Sequence, residues 1–62
     1  MKLSELFFGT IITDEKGNNY RFLNHCFCKD NVDPEITIVD KDGNNIDKRL
    51  SEVQTWKILK KS

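Results

Sequence analysis

A six-residue segment occurs twice in this chain and constrains its fold more than any other feature. Asp14-Glu15-Lys16-Gly17-Asn18-Asn19 matches Asp40-Lys41-Asp42-Gly43-Asn44-Asn45 at the Asp, the Gly and both Asn positions. Each copy follows an apolar-rich run and precedes an apolar residue, Tyr20 or Ile46. Two copies this short do not make a solenoid; they are one turn chemistry used twice. The leading Asp can accept hydrogen bonds from the backbone ahead of it. Gly at the fourth position adopts a positive φ at little cost. A type I turn followed by a left-handed Gly closes a short hairpin with a G1 bulge. The pattern predicts two hairpins, with tips at Glu15-Lys16-Gly17 and Lys41-Asp42-Gly43.

The register follows from the turns. Asp14 opposite Asn18 places Ile12 opposite Tyr20 and Thr10 opposite Phe22, and the second hairpin places Ile38 opposite Ile46. Both hairpins then carry apolar cross-strand pairs, as a buried face requires. The alternation extends along the chain in even positions: Phe8, Ile12, Tyr20, Phe22, Cys26 and Cys28, then Ile36, Ile38, Ile46, Leu50, Trp56 and Ile58. Strands alternate faces, so this is the expected inward set. Strands are expected near 7–13, 19–28, 35–40, 45–49 and 54–59, with short helical turns near 3–7 and 50–53. Residues 29–34 read as a polar loop in which Pro34 stops pairing.

The expected fold is therefore mainly β, a single domain over residues 1–62. Five short strands with a one-turn helix before the fifth resemble an SH3-like barrel. The resemblance covers most of the chain but is architectural, and the acidic loop and peptide-groove aromatics of SH3 domains are not evident. It implies a scaffold and not a ligand. A strongly curved antiparallel sheet, an OB-like barrel, and a sheet backed by the N-terminal helix are the alternatives.

Size narrows the functions open to such a domain. A 62-residue chain buries only about 60% of its unfolded surface, and a core this small leaves few residues for the walls of a catalytic cleft. Met1 reads as the start of a whole small protein. No apolar run approaches the roughly 20 residues that span a bilayer, and Glu5 interrupts any signal-peptide core. The expectation is a cytoplasmic protein with no membrane association, its two cysteines held as thiols. Short chains rich in Lys, Asn and Ile resemble accessory products of A+T-rich bacteria, their phages or plasmids, which implies a modulator of one larger protein.

The chemical motifs are weak. In His25-Cys26-Phe27-Cys28 the two thiols share one strand face and His25 takes the other, so the set does not converge on zinc. Buried thiols acting as small hydrophobes account for the cysteines. The Asp40–Asn44 segment fails the calcium-loop pattern, because aligning Gly43 with the loop glycine puts Ile38 and Arg49 at the terminal ligand positions. With one His and no convergent acid–base pair, neither catalysis nor a cofactor is expected.

Two surfaces remain as binding candidates. The first is the face opposite the core, expected to carry Phe7, Ile11, Arg21, Leu23, His25 and Phe27. An outward sheet face is ordinarily polar, so this stripe is expected to bind another protein or a second copy. It loses that role if Leu3 and Leu6 fold over it or if a bulge turns part of it inward. The second is the basic C-terminal part, where Lys48, Arg49, Lys57, Lys60 and Lys61 with Trp56 could hold single-stranded nucleic acid by phosphate contact and stacking. Ten basic residues are balanced by ten acidic ones, so any such site is local rather than a property of net charge. A solvated lysine tail is the plainer account of the same residues.

Overall fold

The computed structural model describes residues 1–26 and 33–61. Five antiparallel strands form one sheet: β1 (Ile11–Thr13), β2 (Asn19–Cys26), β3 (Glu35–Val39), β4 (Asn45–Arg49) and β5 (Lys57–Lys60). Their order is β4-β3-β2-β1-β5, so β4 and β5 are the two edges and the sheet is not closed into a barrel. Two 3₁₀ turns accompany it, η1 (Leu3–Glu5) and η2 (Leu50–Val53). Among the described residues no helix is long and apolar enough to cross a membrane. Phe27 and Cys28, and most of the expected 29–34 loop, lie outside the described residues.

Both repeated turns form as their sequence requires, and with the same bonds. Asp14 Oδ1 accepts the N–H groups of Lys16 at 2.9 Å and Asn18 at 2.8 Å. Asp40 Oδ1 accepts those of Asp42 and Asn44, each at 2.9 Å. The second oxygen of each Asp accepts the side-chain amide of the following Asn, Asn18 or Asn44. Gly17 and Gly43 donate back to the Asp carbonyls and have φ of 89° and 85°. The left-handed Gly then lets the chain return along its own strand. The expected pairs Ile12↔Tyr20 and Ile38↔Ile46 both occur.

One face of the sheet carries the core. Leu6, Ile12, Phe22, Ile36, Ile38 and Val53 are buried, and Tyr20, Ile46, Leu50, Trp56 and Ile58 pack partly against them. Most of the even-numbered set therefore does face inward. The core is closed by residues the strand alternation did not single out: Leu6 after η1 and Val53 at the end of η2. Met1, Leu3 and Leu6 thus cover the inner face and not the outer one. η2 is anchored from a distance, because Asp33 accepts the Ser51 N–H at 2.8 Å and its hydroxyl at 2.7 Å, and the Pro34 carbonyl accepts the Leu50 N–H.

Three irregularities break the simple alternation. The first is at the start of β1, which begins at Ile11 and not near residue 7. The Thr10 N–H donates to the Phe7 carbonyl, closing a turn over Phe7–Thr10 with Gly9 at φ 93°. Gly9 donates to the Phe22 carbonyl while the Phe22 N–H donates to that of Thr10, so two residues oppose one in a G1-type bulge. Thr10 becomes fully buried, its hydroxyl accepting the Phe7 N–H at 3.1 Å. Phe8, expected inside, is instead 71% exposed.

The second irregularity is in β2. Phe22 pairs with Ile38 but Asn24 pairs with Thr37, so Leu23 is an extra residue. Past it the faces exchange. His25 pairs with the buried Ile36, and Cys26 pairs with the exposed Glu35. The expectation that His25 faces outward and Cys26 inward is corrected by this one inserted residue. The third lies in β5, where Ile12 pairs with Ile58 and Ile11 with Lys60, leaving Leu59 as the extra residue, 59% exposed.

Candidate functional site

Three parts of the surface emerge from this geometry. The two hairpin tips lie side by side, because β2 leaves the first turn as β3 arrives at the second. A cleft of about 420 Å³ lies between them, lined by residues of both turns, including Asn18, Asn19, Asp40 and Lys41. The Asp14 and Asp40 carboxylates are committed to their own turns. Partial desolvation pushes the Asp14 carboxyl up, but hydrogen bonds from Asn18, Lys16 and the Tyr20 hydroxyl outweigh it and leave it below the ordinary carboxylate range. Hydrogen bonding from the Asn44 N–H holds Asp40 below that range too. Tyr20 and Trp56 stack beside this end with centroids 5.0 Å apart, and Thr55 donates to Glu15 across it. Among the described residues no three His, Cys, Asp or Glu side chains converge on a point that could hold a metal ion.

The second part is the opposite end of β1. The Phe7–Thr10 turn presents Phe7, 63% exposed, and Phe8. β5 runs antiparallel to β1 and brings Leu59 and Lys60 toward the same end, since Lys60 pairs with Ile11. Phe8 was expected inside, and Leu59 was not singled out as a surface residue. The Phe8-Gly9 step was the available signal, since a Gly inside an apolar run marks a bulge or turn.

The third part is the face opposite the core. Cross-strand pairing sets out two rows on it, Lys57–Thr13–Asn19 and Lys60–Ile11–Arg21–Val39. The expected apolar stripe is therefore divided. Ile11 and Arg21 are neighbours on the outer face as expected. Phe7 sits in the turn, Leu23 in the β2 bulge and His25 on the core side opposite Ile36, while Phe27 lies outside the described residues.

The expected basic set is divided as well. Lys48 and Arg49 are on edge strand β4, and Lys57 and Lys60 on the far edge strand β5. Lys48 shares the inner row with Ile36, whereas Arg49 shares the outer row with Glu35. Trp56 packs toward the core against Tyr20 and does not stand beside the outward lysines. Lys61 follows β5 and is exposed. No protein-family model, curated protein or solved structure matches this chain.

Proposed function

We propose that this chain is a non-enzymatic module that binds another protein, with Phe7 and Phe8 as its anchors. The supporting observation is the Phe7–Thr10 turn, which holds two phenylalanines at 63% and 71% exposure on a hydrogen-bonded, bulge-anchored frame. Aromatic side chains on a rigid turn lose little conformational freedom on binding and supply much of the energy of a small interface. Leu59 adds a third exposed apolar group at the same end of the sheet. The strand order, with β1 between β2 and β5 and a 3₁₀ turn before β5, supports reading the scaffold as SH3-like. That reading concerns architecture and leaves the anchors to define the site.

The test compares wild type with a Phe7→Ser/Phe8→Ser variant as immobilised bait for proteins of the source cell. The expected result is a defined protein retained by wild type, lost by the variant, and bound again by purified wild type in isolation. Identical retention by both, with unchanged melting, overturns the assignment. Concentration-dependent sedimentation that the variant abolishes would replace the foreign partner with a second copy.

A further inference from the structure

We propose that the outer face of β5-β1-β2 is a second binding surface, for single-stranded nucleic acid, with Lys57, Lys60 and Arg21 as its phosphate contacts. This surface adjoins the Phe7–Phe8 end at Lys60 but lies on the sheet's outer face and takes a different class of partner. It also differs from the C-terminal basic run in sequence, because it excludes Lys48 and Arg49 and recruits Arg21 from β2.

Register carries the assignment. Lys57 pairs with Thr13 and Thr13 with Asn19; Lys60 pairs with Ile11 and Ile11 with Arg21. Residues directly paired across a sheet share a face, so these six side chains form one block three strands wide. Lys57, Lys60 and Arg21 are exposed, and none of the six is acidic. Lys60 and Arg21 flank Ile11 from its two neighbouring strands, about 10 Å apart at two strand spacings. Beyond Arg21 the row continues to Val39, and a shallow depression of about 170 Å³ there is lined by Ile11, Arg21, Val39 and Lys41 among others. Asp40 also borders it, but its carboxylate is turned into hydrogen bonds with the N–H groups of Asp42 and Asn44.

The chemistry favours a single strand over other polyanions. Lys60 and Arg21 flank Ile11, and Arg21 stands between Ile11 and Val39, so the two apolar side chains offer a base an apolar surface beside the cations, and Thr13 and Asn19 offer hydrogen bonds. Its three cations are few beside the many contacts a duplex-wrapping protein makes, and no aromatic side chain is in its two rows. Binding is thus dominated by phosphate contacts and sensitive to salt. Three contacts on a single strand give a log–log slope of about −2, a loss of roughly 20-fold in affinity between 50 and 200 mM salt.

The experiment is fluorescence anisotropy of the full chain with a labelled oligo(dT) and a labelled oligo(U) at low salt. Wild type is expected to bind at least one of them with that slope. Lys57→Glu/Lys60→Glu is expected to weaken binding at least tenfold and to flatten the slope, with the melting curve unchanged. Lys48→Glu/Arg49→Glu, on the opposite edge, is expected to stay within about twofold of wild type. Absence of binding by folded wild type, or equal loss in both double variants, overturns the proposal. Equal affinity for inorganic polyphosphate or a duplex of matched length overturns the single-strand assignment.

Discussion

The Tyr20 ring lies against the Trp56 indole, centroids 5.0 Å apart and planes inclined by 24°, while the Tyr20 hydroxyl donates to Asp14 Oδ2 at 3.1 Å. One side chain thereby ties the first hairpin turn to the residue preceding edge strand β5. Tyr20→Phe keeps the stack and removes the hydrogen bond; Trp56→Leu does the reverse. A double-mutant cycle with Tyr20→Leu and Trp56→Leu is expected to give a coupling of about 0.5–1.5 kcal/mol. Urea denaturation followed by circular dichroism measures it, and a coupling near zero would mean that the stack contributes only buried area.

The same Asp14 makes the fold sensitive to acid, together with Asp33 and Asp40. Asp33 is held below the ordinary carboxylate range chiefly by the Ser51 hydroxyl and then the Ser51 N–H. All three are lowered in the folded chain. Their contribution is therefore complete above the unfolded value of about 3.9 and disappears as pH falls through the lower folded values. The urea midpoint is expected to drop as pH falls from about 5 to about 2. Asp14→Asn/Asp40→Asn should be less stable than wild type at neutral pH and lose less over that acid interval. An equally steep acid limb in the variant would place the sensitivity elsewhere.

Gly17 and Gly43 isolate the backbone part of the turn chemistry. A Cβ built at either position meets nothing within 4 Å, so crowding adds nothing to the cost of a side chain there. Gly17→Ala and Gly43→Ala should each cost about 1–2 kcal/mol, the cost of holding an L-residue at positive φ. Asn tolerates that region better, so Gly17→Asn should recover part of the loss. Urea midpoints that do not move on Gly→Ala substitution would show that the turns relax to another type.

These turns were legible because the Asp and Gly determine their geometry locally, with little help from the rest of the chain. Register near each turn followed, as did the burial of Ile12, Ile38 and Phe22. What could not be read was alternation carried far from a turn. Leu23 has nothing in its own chemistry to mark it as an inserted residue, yet it exchanges the faces of His25 and Cys26. That exchange breaks the outward apolar stripe into separate surfaces. Arg21 and Lys60, 39 positions apart, meet on either side of Ile11 only because β1 lies between β2 and β5. The linear order of the lysines carries no such information: Lys48 and Lys57 are nine positions apart in the chain and stand on opposite edges of the sheet.

Exposure separates the side chains that hold the fold from those available to a partner. Ile12 and Ile38 are fully buried on adjoining parts of the core, whereas Phe7 and Phe8 are mostly in solvent. Ile12→Ala or Ile38→Ala should cost about 2–5 kcal/mol, through lost burial and the cavity left behind. A domain of this length holds on the order of 3–9 kcal/mol in total, so either change removes a large part of that total. Phe7→Ser and Phe8→Ser should each fall within about 0.5 kcal/mol of wild type, as surface substitutions do. Thermal and urea melts of the four variants check the contrast. A large loss at Phe7 or Phe8 would make these rings part of the fold's support and remove them as anchors, since a side chain the core depends on is not free to be spent on a partner.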